Sequence, residues 1–176
     1  MCRGAGLPAV KGPRPRKKPT AVQDTRTKFL AAPVWLPAWQ QVHLASVALP
    51  AAGAVRVWLP LTPSHEQVRA IGELIETGTE PMWDLRGECW TVPKDHYLPV
   101  LDKMLKRRSQ LMLGREYNPG EKCNPRCKRA KRPFCTCSCL AKYHSHGTWM
   151  KSFVTLEEFR TRHQGRSWNW MIVKSR

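Results

Sequence analysis

The chain has 176 residues, enough for one domain or for two small ones that share a modest core. Its formal net charge of +17 at pH 7 is costly in self-repulsion unless a polyanion offsets it, and nucleic acid is the most common such partner. The sequence contains no Walker loop, dinucleotide-binding fingerprint or metalloprotease helix, so its motifs argue against these enzyme classes.

Residues 1–53 are predicted to be a basic, proline-rich tail followed by a poorly structured extension. Residues 1–28 carry eight Lys or Arg against one Asp, and such a segment cannot bury enough apolar surface to offset its ordering entropy. Residues 29–55 are uncharged, but three prolines interrupt them, so they offer no run of about 20 apolar residues for a membrane span. An alternative for residues 38–49, AWQQVHLASVAL, is one short helix.

The location of the protein follows from the same N-terminal residues. A basic stretch of twenty-eight residues is longer than the basic region of a signal peptide. We therefore predict a cytoplasmic protein without a membrane partner. In that compartment clustered thiols are more often metal ligands than disulfides.

Residues 54–113 are predicted to form a small α+β module in the order strand, helix, hairpin, helix. VRVWLPL alternates and is rich in β-branched and aromatic residues, which predicts a strand. HEQVRAIGELIE predicts a helix that has Ser64 as its N-cap and ends near Gly78. Its predicted inward residues are Val68, Ile71, Leu74 and Ile75.

A hairpin and a second helix complete this module. EPMWDLRGECWTVP predicts a β-hairpin that turns at residues 84–87, with Cys89 as a small strand residue and nothing more. KDHYLPVLDKMLKRRSQLML, residues 94–113, predicts a helix with Tyr97, Met104 and Leu111 among its inward residues.

The module resembles the small HARP-type module found beside annealing helicases. The resemblance covers about residues 55–113 and is carried by the apolar strand, the helix ending near Gly78, MWDLRGECWTVP and HYLPVL. It implies association with nucleic acid, and DNA in preference to RNA. The cysteine spacing beyond the module, C-x3-C…C-x-C-x-C…H, is similar to that of small uncharacterised proteins of actinobacterial phages and mobile elements, and it implies no activity.

Residues 114–176 are predicted to be a Cys/His metal-binding region with short strands. Residues 123–146 hold five of the seven cysteines and two of the six histidines. A strand over residues 149–154, a helix over 156–162 and a final strand over SWNWMIVKS are expected to pack against the metal site. The candidate ligands are Cys123, Cys127, Cys135, Cys137, Cys139, His144 and His146.

A structural zinc ion is the predicted occupant of this region. Zn²⁺ takes four ligands, so seven candidates mean either one ion with spare ligands or two ions that share a bridging sulfur. For one ion the preferred ligands are Cys123, Cys127, Cys139 and either Cys137 or Cys135, with His144 as the first substitute. An iron–sulfur cluster is the alternative, although the spacing matches neither common ferredoxin pattern. Residues 123–146 contain no Asp or Glu to act as a base, which argues against a catalytic ion.

Basic residues surround the predicted metal site. Residues 103–132 contain eleven Lys or Arg against two Glu, and an ion that fixes the loop would hold part of this charge in place for phosphate. Trp35, Trp39 and Trp149 are candidate stacking platforms for unpaired bases, whereas the other tryptophans lie in strand patterns and are expected in the core. The candidate nucleic-acid contacts are Lys106, Arg107, Arg108, Arg115, Arg126, Lys128, Arg129, Lys131 and Arg132.

Together these features predict an α+β protein with a disordered basic N-terminus, a strand-helix-hairpin-helix module and a metal-stabilised Cys/His region. The first functional hypothesis is a non-enzymatic, zinc-containing nucleic-acid-binding protein of a phage or mobile element, with DNA favoured. The alternative is a zinc-containing adaptor whose basic surface binds an acidic host protein.

Overall fold

A computed structural model describes residues 33, 35–36, 44–60, 62–75 and 78–176. The predicted tail over residues 1–28, Trp39 and the first half of the predicted short helix, residues 38–43, lie outside the described residues. The strands are β1 Ser46–Leu49, β2 Val55–Trp58, β3 Met82–Asp84, β4 Cys89–Val92, β5 Leu111–Tyr117, β6 Phe153–His163 and β7 Arg166–Ser175. The helices are α1 Gln67–Gly72, α2 Tyr97–Arg107 and α3 Pro125–Arg129, with 3₁₀ helices at Lys94–His96 and His144–Met150.

All seven strands belong to one sheet in the order β3-β4-β2-β1-β5-β7-β6. β1 and β5 run parallel, and every other neighbouring pair is antiparallel. The chain is therefore α+β, as predicted, and the elements of residues 54–107 follow in the predicted order of strand, helix, hairpin and helix. Strands from all three predicted ranges share this sheet, which crosses the proposed boundaries at residues 53 and 113.

The two faces of the sheet bury different side chains. On one face, α1 and α2 pack over the strands, together with Ala141 and Trp149 from the segment between β5 and β6. On the other face, Trp35 and Leu36 pack with tryptophans of β2 and β7. The alternation of side chains along β5 assigns Leu111 and Leu113 to the first face and Met112 to the second. The cysteine-rich segment is thus anchored on the helical face.

Several local predictions are corrected at the module's ends. Ser46–Leu49 form a fully buried strand between β2 and β5, so neither a loose extension nor a helix describes them. α2 ends at Arg107, and residues 111–113 begin β5 because they pair with both β1 and β7. α1 is only six residues long, starts after Glu66 without a side-chain cap, and leaves Val68 exposed.

The predicted helix over residues 156–162 is wrong, and so is the strand predicted to start at residue 149. The 3₁₀ helix ends at Met150, and β6 pairs with β7 from Phe153 to His163, with a shift of register between Thr155 and Glu157. Gln164 and Gly165 connect the two strands, both with positive φ, as a tight hairpin turn requires. Among the described residues, no helix is long and apolar enough to cross a membrane.

A substitution at Gly114 of β5 tests the packing of side chains on the sheet's second face. A Cβ atom there would lie 2.4 Å from Cζ3 of the buried Trp170, which stands opposite it on β7. We expect Gly114→Ala to destabilise the protein by about 2 kcal/mol, because a well-packed ring has to move. Thermal unfolding should show a Tm roughly 4–8 °C lower.

The matched control for this prediction is Gly72→Ala at the end of α1, where the added Cβ would meet nothing within 4 Å. That variant should keep the wild-type Tm or exceed it slightly, because alanine favours helix. Equal Tm values for the two variants would contradict the packing of Trp170 on Gly114.

Candidate metal centre and basic groove

The cysteine-rich segment begins with a short helix whose start is fixed by its sequence. The side-chain oxygen of Asn124 accepts a hydrogen bond of 2.8 Å from the backbone N–H of Cys127, and Pro125 occupies the first helical position. α3 therefore presents the Cys127 sulfur from its first turn. Further along, Leu140 and Ala141 both have positive φ, so the chain reverses directly after Cys139 and enters the 3₁₀ helix that begins at His144.

Six of the seven predicted ligands converge in space. They form two sets of four, within each of which all ligand atoms lie within 4.8 Å of one another. The first set is Cys123, Cys127, Cys137 and Cys139, and the second is Cys127, Cys135, Cys139 and His144. The first set matches the predicted ligands for one ion with Cys137 chosen over Cys135, and the second contains the predicted substitute, His144.

The spacing of these atoms suits a tetrahedral cation. Zinc–sulfur bonds of about 2.3 Å place the ligands of one ion roughly 3.8 Å apart. The Cys127 and Cys137 sulfurs are 3.4 Å apart, and the Cys135 and Cys139 sulfurs are 4.0 Å apart. No disulfide joins cysteines within the described residues. The cluster can therefore hold a metal ion such as zinc.

A hydrogen bond at Nδ1 orients the His144 ring so that Nε2 faces the cysteine cluster. The side chain is 1% exposed, and its Nδ1 lies 2.7 Å from the carbonyl oxygen of Arg132. A carbonyl oxygen only accepts hydrogen bonds, so Nδ1 carries a proton, and in a neutral ring with that proton Nε2 holds the lone pair that binds a metal. That Nε2 lies 2.8 Å from the Cys127 sulfur, on the side where an ion would sit.

The pKa values of the clustered thiols favour a bound cation. Burial and hydrogen bonds between neighbouring thiols raise the pKa of Cys127, Cys135 and Cys139 above the usual range. Burial also opposes ionisation of Cys137, but hydrogen bonds from Cys139 and the other nearby thiols outweigh it and lower that pKa to about 7. The raised pKa values oppose full ionisation of the cluster, and a dication bound there would compensate the negative charge of the thiolates.

Arg115 is placed beneath this cluster, which corrects its assignment as a nucleic-acid contact. Its side chain is 1% exposed, so it cannot reach a phosphate in solution. Nη2 donates to the carbonyl oxygen of Cys135 at 3.1 Å, and the guanidinium lies 5.3 Å from the ring centre of Trp149. Nε and Nη1 have no hydrogen-bond partner among the described residues.

A groove lined by positive charges adjoins the metal centre. It has a volume of about 660 Å³ and includes the exposed ring of Tyr143, 61% accessible, and His146. His146 belongs to neither ligand set, so its assignment as a metal ligand is corrected. The residues that line this groove, called the basic groove below, are Lys128, Arg129, Lys131, Lys142, Tyr143 and His146.

The other predicted contacts are distributed over the surface. Arg126 and Arg132 are exposed on the same loop as the basic groove, and Arg132 forms an ion pair with Asp95. Lys106 is exposed at the end of α2, where Arg107 pairs with Glu73 at 2.8 Å. Arg108 is partly buried, and burial lowers its pKa.

The tryptophans and Cys89 are mostly core residues. Trp35 and Trp149 are buried, so their assignment as stacking platforms is wrong. Trp83 and Trp90 are partly buried and meet edge to face across the hairpin. Cys89 is a residue of β4, as predicted, and it is fully buried; burial raises its pKa to about 12, which keeps this thiol protonated and separate from the candidate metal ligands.

Sequence reasoning missed Tyr143 and Lys142 as groove residues and Arg115 as a buried cation. The sequence contained one signal for the two groove residues and another for Arg115. Lys142 and Tyr143 directly precede the candidate ligand His144, so a bound metal would fix their position. In LMLGREY, Arg115 has the same strand parity as Leu111 and Leu113, which places it on the inward face.

Comparisons with known proteins identify no relative. No protein-family model matches the chain, and no curated protein and no solved structure is significantly similar to it. The metal centre and the basic groove are therefore the features of this chain that bear on its function.

Proposed function

We propose that this chain is a non-enzymatic nucleic-acid-binding protein of a phage or mobile element, in which a structural zinc site orders a basic, phosphate-binding loop. The observation that supports the proposal is the basic groove. Three of its cations, Lys128, Arg129 and Lys131, stand between the ligands Cys127 and Cys135, so a bound metal would hold them in place. Charges fixed in advance lose less entropy when they contact phosphates.

The composition of the groove favours single-stranded nucleic acid. Tyr143 offers an exposed ring among cations, and unpaired bases stack on such rings while phosphates pair with the lysines and arginines. DNA is the favoured partner because the module over residues 55–113 resembles modules of annealing helicases.

Removal of the groove charges is expected to weaken binding in a salt-dependent way. The plot of log K against log salt has a negative slope, and each lost phosphate contact on a single strand reduces the magnitude of that slope by about 0.7. We therefore expect the triple variant Lys128→Ala, Arg129→Ala, Lys131→Ala to have a slope that is shallower by roughly 2. The measurement is fluorescence anisotropy with a labelled oligonucleotide at several salt concentrations, using single-stranded and duplex DNA.

The matched control removes three exposed cations elsewhere, Arg69, Arg86 and Lys174, by substitution with alanine. It should retain most of the affinity, and both triple variants should keep the wild-type metal content. Absence of salt-sensitive binding to either DNA form would contradict the proposal. Binding of polyglutamate as tight as that of DNA at matched ionic strength would favour the alternative, an adaptor for an acidic protein.

A further inference from the structure

The two ligand sets of the metal centre are linked, because Cys127 and Cys139 belong to both. We propose that the site holds two zinc ions that share the thiolates of Cys127 and Cys139 as bridges. Cys123 and Cys137 complete the shell of the first ion, and Cys135 and His144 complete that of the second. This inference rests on the zinc site of the proposed function and extends it from one ion to a binuclear centre.

The ligand count closes for two ions. Two tetrahedral ions have eight coordination positions. Four terminal ligands fill four positions, and two bridging thiolates fill two each, so the six converging side chains supply all eight. Neither set leaves a position empty or requires His146, which points instead to the basic groove.

A single ion would leave a buried ligand unused in either arrangement. In the first set the unused residues include His144, which is 1% exposed and holds its Nε2 lone pair toward the cluster. In the second set they include Cys137, also 1% exposed, whose sulfur lies 3.5 Å from that of Cys135. With two ions, both of these buried side chains bind a metal, and neither is left to contact only neighbouring groups of the protein.

The second set is also accessible to an ion. A cavity of about 730 Å³ opens against Cys127, Cys135 and His144. A second ion therefore has an entry path that does not require the sheet to open.

The charges balance with the help of Arg115. When the centre loads, five thiols release five protons to solvent, and no group is oxidised or reduced. Five thiolates and two Zn²⁺ leave one net negative charge, because His144 is neutral. Arg115, bonded to the Cys135 carbonyl and buried beneath the cluster, provides one positive charge on the protein side.

The test is the metal content of the full chain. Protein reconstituted with Zn²⁺ under anaerobic, reducing conditions should contain two zinc ions per chain by native mass spectrometry and elemental analysis. After substitution with ¹¹³Cd, NMR should give two signals, one typical of four sulfurs and one of three sulfurs with a nitrogen. The shared sulfurs should couple these signals to each other.

Variants separate bridging from terminal ligands. Cys127→Ala should weaken the binding of both ions by at least about tenfold, whereas Cys123→Ala and His144→Ala should each weaken one ion and leave the other bound. Cys89→Ala, which removes a buried thiol outside the cluster, should retain both ions.

The outcomes distinguish this inference from the proposed function. One zinc ion per chain, with either Cys123→Ala or His144→Ala without effect, would overturn the binuclear centre and leave the structural zinc in place. A chain that binds no zinc, or that binds iron with visible absorbance, would overturn both. The DNA titrations test the nucleic-acid part independently of the ion count.

Discussion

Chelation of the metal under reducing conditions is expected to release the segment between β5 and β6 while the sheet stays paired. The segment has little regular structure to stabilise it, since α3 has five residues and isolated helices shorter than about 12 residues are marginal. Structural zinc contributes on the order of 10 kcal/mol of apparent binding energy in small zinc domains. Loss of the ion should therefore unfold this segment locally.

Limited trypsin digestion measures this release, because the segment carries its own cleavage sites at Arg126, Lys128, Arg129 and Lys131. We expect cleavage there at least about tenfold faster after chelation, since proteolysis follows the population of the open form. Tryptophan emission should change as Trp149 leaves its contact with Phe153.

Restoring Zn²⁺ should return both signals to their starting values, and adding Mg²⁺ should not, because Mg²⁺ prefers oxygen ligands. The backbone amides of β1, β5 and β7 should keep their slow hydrogen exchange throughout. Equal trypsin resistance with and without the chelator would show that the segment does not depend on a metal.

The sequence predicted the strands with a clear alternating pattern and failed where pairing partners decide the structure. VRVW and SWNWMIVKS were found because burial on the sheet leaves an apolar period of two. LEEFRTR was predicted as a helix because its residues favour helices, yet all of them except Leu156 pair with β7. Gln164 and Gly165 carried the turn signal that would have corrected this prediction.

The metal ligands were predictable because their chemistry is local and rare. Five cysteines within seventeen residues have few other roles, and all five converge. The choice between His144 and His146 was not available from spacing, because it depends on the backbone turn at Leu140 and Ala141 and on the carbonyl of Arg132. For Arg115, strand parity indicated the face of the sheet, but its burial depends on the pairing of β5 with two strands at once.

Arg115→Met is expected to have opposite effects on the metal-loaded and metal-free protein. In the loaded state the substitution removes the positive charge that faces the net negative cluster, and a change in such a supporting residue typically lowers metal affinity about 10–100-fold. In the metal-free state Arg115 is a buried cation with two unpaired nitrogens, and an apolar side chain of similar length removes that cost. Replacement of such groups is often neutral or stabilising by about 1–4 kcal/mol.

Competition with a zinc chelator of known affinity measures the first effect, and urea unfolding of metal-free protein measures the second. Arg115→Lys keeps the charge but loses the geometry of the hydrogen bond to Cys135, so it should recover part of the zinc affinity and none of the metal-free stability. Arg166→Met, at an exposed ion pair with Glu116 on the neighbouring strand, should leave zinc affinity unchanged. If Arg115→Met destabilised both states equally, its guanidinium would serve packing against Trp149 and would not serve as the counter-charge of the metal centre.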